Sequence, residues 1–584
     1  MNALSGSKSG YNRFLLLVAG LGGLLYGVDV GIIGGALPYL EATSGLNAGQ
    51  LSIIVAAVLL GSVISTLFAG LLADWMGRRA LMVLSGITFV LSIPIIALSH
   101  GYGPLFAGRL LQGVSGGLIG VVVPLYLAEC LAASNRGKGT GIFQWLLTLG
   151  IVSAALIGIY FSYRVEDVTR TADAATVFAF KDLAWRRIFW VSLPPGILFV
   201  IGSFLVAESP RWLFRKGRKE AARNALLRSR SAEQADIEMN EMEETAATSP
   251  ASATHPVRDS LLNRKYVIPF VLACVILFCN TATGINSIIG YNTNILLQSG
   301  LSDVQAHWGY VLFTVVNFLM TIGGMLLVDR KGRKFLLILG TSGIIVAMIT
   351  TGLLFLRTEK LTVDAREAIQ SNVQPDQTAT VRFDRAQANE LLHTDRASMV
   401  VVYSYGDFTA ATNVARSDDP AAPPIHITRA SCVPGNRVEA FFKNPFADLA
   451  AARTAPLRIL KANVSPVPAS SNGWLIAILL YVFMAFYAVG PGVCVWLALS
   501  ELMPTRIRSN GMSIALVINQ IVSTTLAAIF LPIVSNYGYS TMFFLFAGFT
   551  VVYLITAAFF LPETKGKTLE EIEEHFAGSA VHSR

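Results

Sequence analysis

The stretch Gly70-Leu-Leu-Ala-Asp74-Trp-Met-Gly77-Arg78-Arg79 returns later in the chain, with small changes, as Gly324-Met-Leu-Leu-Val-Asp329-Arg330-Lys-Gly332-Arg333-Lys334. Each copy joins the end of one long apolar run to the start of the next. The two acids are 255 residues apart (329 − 74). Repeated helical bundles are common among membrane proteins. We therefore expect a membrane protein that was built by duplication.

A second pair of motifs indicates where the two copies differ in length. Glu129 precedes Arg136 by seven residues, and Glu501 precedes Arg508 by seven. These acids are 372 residues apart (501 − 129), which is 117 more than the first pair (372 − 255). The second half is therefore expected to contain an insertion of roughly that size.

The 584-residue chain is too apolar for a soluble protein of its size. It is 53% hydrophobic and 14% charged, with a mean hydropathy of +0.56. A helix needs about 20 apolar residues to cross a bilayer. Twelve runs satisfy this: 12–39, 50–73, 80–99, 104–130, 139–162, 186–207, 266–297, 306–328, 335–356, 473–499, 511–535 and 540–561. The predicted fold class is an all-α membrane protein with six spans in each half.

The basic residues predict the orientation. They concentrate in loops of one parity and in the tail, whereas the loops near 41–49, 100–103, 299–305 and 535–540 contain no Lys or Arg. By the positive-inside rule both termini are cytoplasmic, and the protein is expected in the inner (cytoplasmic) membrane. The net charge of +8 is then a topology signal, and no nucleic-acid partner is expected.

The first apolar run is interpreted as a retained helix and not as a signal peptide. The run from Phe14 to Leu40 is longer than the usual signal segment, and Asp29 interrupts it. The sequence shows no nucleotide-binding loop, metal-ligand cluster, nucleophile arrangement or disulfide spacing among its five cysteines. We therefore expect neither an enzyme nor a bound cofactor or metal.

The organisation that follows has five parts. They are an N-terminal six-helix bundle (1–207), a cytoplasmic linker with short helices (208–264), a C-terminal bundle (265–356 and 472–562), an extracytoplasmic insertion between helices 9 and 10 (357–471) and a cytoplasmic tail (563–584).

The insertion allows two interpretations. It contains strand-like runs at Met399–Tyr405 and Ile425–Ile427 and an amphipathic stretch at Pro445–Leu460, which are typical of a small folded cap. It is equally compatible with a tolerated, partly disordered loop. A direct role in binding substrate is the less favoured interpretation.

Two charged residues within the apolar runs are candidates for proton coupling, because buried charges in a bilayer are costly. Asp29 lies in the middle of the first run, and Arg109 lies near the start of the fourth. The first helix runs outward and the fourth inward, so the two residues are expected at similar depth. A pair that breaks on protonation would act as a proton switch. The alternative is a permanent ion pair that only fixes helix packing.

Uncharged polar and aromatic groups recur in several spans and suit a neutral polyhydroxylated ligand. Amides donate and accept at once, and aromatic faces pack against the C–H face of a sugar ring. Taken singly, each is equally explained as an interhelical hydrogen bond or an interfacial ring. The candidate substrate-binding residues are Gln144, Asn280, Asn286, Tyr291, Asn317, Trp496 and Asn519.

The repeated loop motifs predict charge networks that hold cytoplasmic helix ends together and break when that side opens. Their role as topology anchors alone would explain Arg and Lys but not the recurring acids. The candidate gate residues are Asp74, Arg78, Arg79, Glu129, Arg136, Asp329, Arg330, Arg333, Glu501 and Arg508.

Together these motifs closely resemble the sugar porter family of the major facilitator superfamily. The resemblance covers essentially all twelve helices and leaves out the insertion. Further motifs that carry it are Pro124-Leu-Tyr-Leu-Ala-Glu129, Glu208-Ser-Pro-Arg211-Trp212, Gly284-Ile-Asn286, Trp496-Leu-Ala-Leu-Ser-Glu501 and Pro562-Glu563-Thr-Lys565-Gly566.

The resemblance implies the major facilitator fold, alternating access around a central site, and a place for Glu208 and Arg211 in the gate. It implies sugar contacts at Gln144, Asn286, Asn317, Trp496 and Asn519 and a proton role for Asp29 with Arg109 as its partner. The chain departs from the family pattern at three places. Asn280-Thr281 stands where the family usually has two glutamines, only Tyr291 remains of a tyrosine pair, and Gln520 stands where a Trp often follows the amide of the eleventh helix.

The resulting hypothesis is a monosaccharide transporter, active as a monomer, that couples uptake of a hexose, pentose or polyol to a proton through Asp29. The alternatives are a proton-independent facilitator and, less favoured because the tail after Leu561 is short, a sugar sensor that does not transport.

Overall fold

The computed structural model describes residues 2–131, 133–248, 263–419, 424–504, 507–564, 571–572 and 576, and the side chains of 2–9, 133–140, 245–248, 265, 329, 442, 496–500 and 508–510 lie outside the described part. The described helices are α1 (Asn2–Thr43), α2 (Ala48–Met76), α3 (Arg78–Ala97), α4 (Tyr102–Cys130), α5 (Ala133–Thr171), α6 (Ala174–Trp190), α7 (Leu193–Leu205), α8 (Pro210–Arg215), α9 (Lys219–Leu227), α10 (Ala232–Thr248), α11 (Arg264–Ala282), α12 (Ile285–Gln298), α13 (Asp303–Lys331), α14 (Arg333–Glu359), α15 (Arg366–Ser371), α16 (Arg385–Leu392), α17 (Arg437–Lys443), α18 (Leu449–Ala452), α19 (Ser470–Val489), α20 (Pro491–Leu502), α21 (Arg508–Tyr537) and α22 (Tyr539–Ile555).

Twelve helical segments of the described chain are long and apolar enough to cross a membrane, which confirms the predicted spans. Eight are single helices and four combine neighbouring segments. The first six are α1, α2, α3, α4, α5 and α6–α7, which form the N-terminal bundle. The second six are α11–α12, α13, α14, α19–α20, α21 and α22 with its π-helical end at Thr556–Phe560, which form the C-terminal bundle.

Glycines bring α1 against α5 and so position the acid in the first span. Gly23, Gly27, Gly31 and Gly35 follow one another at intervals of four and share one face of α1. A Cβ on Gly27 would lie only 1.9 Å from the carbonyl oxygen of Leu147 in α5. Backbones at this distance leave no room for a side chain, so the stripe fixes the rotation of α1 about its axis.

The repeated motifs form the same turn in both halves. Gly77 joins α2 to α3 with a φ of +99°, and Gly332 joins α13 to α14 with a φ of +87°. Only glycine adopts this region without steric cost. Each turn also leaves room for a carboxylate, because a Cβ would lie 2.3 Å from Glu208 in the first turn and 2.5 Å from Glu563 in the second.

The two bundles are joined at one end and separate at the other. We call the end that carries the insertion the insert side and the end that carries the repeated motifs the motif side. On the insert side one apolar core contains residues of both bundles, including Ile33, Val55, Tyr291, Tyr310 and Phe530. On the motif side each bundle has its own core. The conformation is therefore closed at the insert side.

The insertion folds as a small mixed domain with its own core, so of the two interpretations of this segment the structure has the folded cap. Its strands are β1 (Val363–Asp364), β2 (Ala379–Val381), β3 (Ala397–Tyr405), β4 (Phe408–Ala411), β5 (Ala415–Arg416), β6 (Ile425–Ile427) and β7 (Leu457–Pro466). An antiparallel sheet runs in the order β1-β7-β3-β4, with β5 also on β3, and β2 pairs with β6. The stretch predicted as amphipathic contains only the four-residue α18 before β7 begins.

The cap contacts both bundles. Lys181 of α6 forms an ion pair with Asp419 of the cap at 2.9 Å. On the other bundle, Arg416 donates to the carbonyl of Leu297 in α12 at 3.0 Å. The cap therefore lies across the closed end of the two bundles. On the motif side, the linker between the bundles contributes α8, α9 and α10.

Candidate transport site

Asp29 lies in the middle of α1 and is buried, with 1% of its surface exposed. Neither carboxylate oxygen has a hydrogen-bond partner among the described residues. The carboxylate faces α4 at Gly116, where a Cβ would lie 2.7 Å from Oδ2. An ionised carboxylate buried without a partner is costly. The site is therefore chemically suited to a carboxylate that carries a proton.

Arg109 does not form the expected ion pair with Asp29. Its guanidinium donates to Gln112 Oε1 at 2.6 Å and lies 5.6 Å from the ring centroid of Phe189 in α6. The carboxylate of Asp29 meets α4 at Gly116, seven residues further on, which is about two helical turns. The predicted pair is thus open in this conformation, and Gln112, which the motifs did not reveal, takes part in holding the arginine.

Two of the predicted amides tie helices of the C-terminal bundle together. Asn519 of α21 donates to the carbonyl of Leu277 in α11 at 2.8 Å, and the hydroxyl of Thr281 donates back to the carbonyl of Asn519 at 3.1 Å. Asn280 of α11 donates to the hydroxyl of Tyr487 in α19 at 3.4 Å. The side-chain oxygen of Asn280 is buried without a partner among the described residues, so it can accept from a ligand.

Three further predicted amides are more accessible. Asn286 of α12 is half-buried and donates to the hydroxyl of Ser523 in α21 at 2.6 Å. Asn317 of α13 is also half-buried, and its side-chain oxygen lies 3.4 Å from the hydroxyl of Thr321. Gln144 of α5 is exposed. These amides therefore come from both bundles, as a site between them requires.

Tyr291 does not face an open site in this conformation. It is fully buried, donates to the carbonyl of Ala527 at 2.9 Å and stacks on Phe530 with ring centroids 4.3 Å apart. Its hydroxyl also lies 3.2 Å from that of Ser52 in the other bundle. Tyr291 thus belongs to the closed insert side. The side chain of Trp496 lies outside the described residues.

A polar cluster that sequence reasoning missed joins the bundles at the insert side. The carboxylate of Asp303 in α13 accepts from the hydroxyls of Tyr39 at 2.7 Å and Ser162 at 2.6 Å. His307 stacks on Tyr39 and lies 3.2 Å from the carbonyl oxygen of Gly35. Asp303 and His307 lie in the first two turns of α13, where a sequence pattern does not distinguish a contact between bundles from an ordinary helix cap.

The repeated motif of the N-terminal bundle forms a buried network at the motif side. The guanidinium of Arg78 pairs with Glu129 through two hydrogen bonds of 2.8 and 2.9 Å and donates to Asp74 at 2.9 Å. The backbone amide of Arg78 donates to Glu208 at 2.9 Å. Ser209 donates to Glu129 at 2.5 Å. The start of α3 and the ends of α4 and α7 are fixed in this way.

The C-terminal bundle has a matching network. Arg333 donates to Glu501 at 3.0 Å. Its backbone amide donates to Glu563 at 3.2 Å, and Thr564 donates to Glu501 at 2.5 Å. Glu563 and Thr564 therefore occupy the places that Glu208 and Ser209 have in the first half. Glu563 was quoted as part of a motif but not predicted as a gate residue.

The remaining predicted gate residues are placed differently. The backbone amide of Arg79 donates to Glu208 at 3.1 Å, and Arg330 is exposed. Arg211 is exposed and forms no ion pair in the described structure, whereas Arg215 lies 3.4 Å from Glu129. Each of the two networks lies within its own bundle, and both are intact although the bundles are separate on the motif side. The prediction that the networks break when this side opens therefore does not hold for these contacts. The side chains of Arg136, Asp329 and Arg508 lie outside the described residues.

Twelve spans in two bundles, closed at one end and lined by polar groups of both, define a multi-pass membrane transporter. The family model described as "Sugar (and other) transporter" matches residues 15–369 and 451–576, and so leaves out most of the cap. The match covers most of the chain. The protein therefore belongs to the sugar porter family, as the resemblance predicted, and its family and structural relatives are transporters and not enzymes.

Curated relatives match over nearly the whole chain. The glucose transporter GlcP of Staphylococcus epidermidis is 26% identical over 567 residues, covering 96% of this chain and 97% of that protein. The proton myo-inositol cotransporter of Homo sapiens is 28% identical, covering 95% of this chain and 80% of that protein. The major myo-inositol transporter IolT of Bacillus subtilis is 25% identical, with coverages of 98% and 95%.

Solved structures have the same fold. The partially occluded, inward-open xylose transporter XylE of E. coli matches with a TM-score of 0.61 and 18% identity, covering 95% of this chain and 100% of that chain. The proton:xylose symporter XylE bound to 6-bromo-6-deoxy-D-glucose matches with a TM-score of 0.59 and 21% identity, covering 97% and 100%. The major facilitator fold is thereby established.

Proposed function

We propose that this protein carries a monosaccharide or a related polyol across the cytoplasmic membrane by alternating access, together with a proton held by Asp29. The substrate class is supported by the relatives, which are named as transporters of glucose and myo-inositol. The amides of Asn280, Asn286 and Asn317 are uncharged groups that donate and accept hydrogen bonds, which suits neutral polyhydroxylated molecules.

The observation that carries proton coupling is the unpartnered carboxylate of Asp29. It is buried between α1 and α4, and Arg109, its expected partner, bonds to Gln112 instead. We infer that Asp29 is protonated in this conformation, since an unpaired buried charge is costly. In uptake by symport, the acid would take up this proton while the insert side is open and release it on the motif side before the empty transporter returns.

The orientation and location remain those that the basic loops favour. The motif side, which carries the Arg and Lys clusters, faces the cytoplasm in the cytoplasmic membrane, and the cap faces the exterior. The conformation is then inward-facing. One chain supplies both bundles and the polar groups named above, which supports activity as a monomer. The coupling ion of the proposal is the proton on Asp29.

The test is uptake of labelled glucose, xylose and myo-inositol into proteoliposomes, with and without an inward proton gradient. The variants are Asp29→Asn and, as the matched control, Asp167→Asn at an exposed position near the end of α5. We expect concentrative uptake that depends on the gradient in the wild type and in the control. Asp29→Asn should lose concentrative uptake but keep exchange of substrate down its gradient.

Two other outcomes would contradict the proposal in different ways. Uptake that ignores both the gradient and the Asp29 variant would show a proton-independent facilitator. Binding of a substrate without flux of any of them would contradict the proposal that the protein is a transporter and would favour a sensor.

A further inference from the structure

A cavity of about 460 Å³ lies on the insert side, between the underside of the cap and the helix ends. Its volume is within the range of roughly 300–1,000 Å³ that is common for small-molecule sites. Its floor includes Glu41 and Asn294, and its wall includes Phe355 and Tyr539. The layer of Tyr291 and Ser52 closes the bundles at this side. The cavity is thus distinct from the candidate site around Asp29.

The roof of the cavity is one face of the cap sheet. In the pair β3–β7, Ser398 lies opposite Ser465 and Val400 lies opposite Asn463, and all four line the cavity. Successive side chains of a strand point to opposite faces. The alternate residue Met399 accordingly packs in the core of the cap. Two hydroxyls and an amide of the sheet therefore line the cavity from the side of the cap.

The charged groups around the cavity are already bonded within the protein. Glu41 accepts from the side-chain amide of Asn294 and from the backbone amide of Val414. Glu359 accepts from the backbone amide of Ser540 at 3.0 Å and from its hydroxyl. Lys461 donates to the carbonyl of Asn536 at 3.0 Å. A ligand therefore meets few unsatisfied charges, which favours a neutral one.

Two amide oxygens remain unsatisfied at the cavity. The side-chain oxygens of Asn294 and Asn413 are buried and have no hydrogen-bond partner among the described residues, and both residues line the space. Asn294 itself is only 6% exposed. Buried amide oxygens without partners are uncommon and costly. Hydroxyl groups of a ligand would satisfy them.

An aromatic surface lies beside these amides. Phe355 and Tyr539 stack with ring centroids 5.0 Å apart, and both line the cavity. Phe355 also stacks on Phe543 at 5.5 Å, so both of its ring faces are covered and the rings contribute an apolar wall to the cavity. Amides beside such a wall can bond to the hydroxyls of a sugar or cyclitol. The combination of apolar wall, amide acceptors and bonded charges is that of a site for a neutral polyhydroxylated molecule.

We propose that the cap and the insert-side helix ends form a second binding site for such a molecule, separate from the central path. The ligand is of the same class as the transported substrate, so its identity rests on the proposed function. The site holds substrate next to the path while the insert side is closed. The cap thereby takes a direct part in binding, contrary to the interpretation that the sequence favours.

The test uses protection of an introduced cysteine in the full-length protein in lipid nanodiscs. Asn463→Cys places a thiol in the roof of the cavity, and Thr380→Cys is the matched control at an exposed strand position outside it. The labelling rate with a water-soluble thiol reagent is measured against increasing glucose, xylose or myo-inositol, with proline as a hydroxyl-free control solute. Wild-type protein gives the background from native cysteines.

We expect at least one of these ligands to slow labelling at Asn463→Cys, by about twofold at half saturation, and to leave Thr380→Cys unchanged. The protection should persist when Asn286→Ala and Asn317→Ala remove central contacts. Equal protection of both cysteines, or protection that vanishes with the central variants, would overturn the second site. Absence of protection by all three ligands would also overturn it, even where their transport in proteoliposomes upholds the proposed function.

Discussion

The hydroxyl of Tyr39 in α1 donates a hydrogen bond of 2.7 Å to the carboxylate of Asp303 in α13, across the boundary between the two bundles. Ser162 of α5 donates to the same oxygen at 2.6 Å. Hydrogen bonds to an ionised acceptor are stronger than neutral ones. One carboxylate thus fixes three helices at the insert side. Alternating access requires this contact to break whenever that side opens.

Tyr39→Phe removes only the donor of this contact and should shift the protein toward opening at the insert side. A hydrogen bond to a charged group contributes about 1.5–3 kcal/mol, so the ratio of open to closed protein should rise about tenfold or more. The measurement is the distance distribution between spin labels at Arg170 and Lys360, which are exposed near the insert-side ends of different bundles. Tyr160→Phe, on an exposed ring of α5, is the control and should change nothing.

The two motif-side networks should differ in their contribution to stability. The Arg78 and Glu129 side chains are 3% and 10% exposed, whereas those of Arg333 and Glu501 are 14% and 24% exposed. Removing one partner of a buried pair costs about 3–5 kcal/mol because the other charge is left uncompensated. Arg78→Ala should therefore lower the Tm in detergent markedly more than Arg333→Ala. Arg211→Ala, at an exposed position, should leave the Tm nearly unchanged, and equal losses from both network variants would contradict this account.

The sequence predicts these networks because the physical cause is local. The turns at Gly77 and Gly332 need a positive φ, and the arginines that follow them need acids. Two copies of such a pattern within an apolar chain are hard to explain otherwise. The spans are equally predictable, since length and hydropathy suffice to identify them.

Relationships between distant spans were not predictable in the same way. The sequence places Asp29 and Arg109 at similar depth, but the rotation of each helix about its axis decides whether the two side chains meet. Here Arg109 donates to Gln112 instead. Tyr291 is a residue of a type that commonly contacts sugars, yet it stacks on Phe530 and belongs to the closed insert side. Such outcomes depend on tertiary packing and on the conformation of the transporter.

Two asparagines of the C-terminal bundle should respond differently to substitution. Asn519 ties α21 to α11 through the carbonyl of Leu277, so Asn519→Ala should mainly lower stability, by about 1 kcal/mol. Asn286 is half-buried and bonds to a serine hydroxyl, which a ligand can replace. Asn286→Ala should mainly raise the KM for uptake, by about tenfold for one or two lost hydrogen bonds. Uptake kinetics and thermal unfolding of both variants separate these effects, and a reversed pattern would exchange their assigned roles.

The cap should loosen in acid because of Asp418, which lies outside the membrane spans. Burial acts to raise the pKa of Asp418, but hydrogen bonds and charge from Arg416 and Arg396 outweigh it, so the pKa is lowered from its ordinary value of 3.8. A carboxyl group with a lowered pKa stabilises the folded state above its unfolded pKa, and this contribution is lost as the pH falls through the folded pKa. Protonation would also release Arg416, which anchors the cap to Leu297.

Hydrogen exchange of the segment 397–419 in the full-length protein should therefore accelerate below a pH of about 4, after correction for the intrinsic rate. Asp418→Asn should show the faster exchange already at neutral pH and little further change in acid, because its side chain does not titrate. Asp395→Asn, at an exposed position of the same domain, should behave as the wild type. If the wild type and Asp418→Asn exchange alike at neutral pH, the carboxylate does not hold the cap on the bundles, and the anchoring contact must lie elsewhere along its surface.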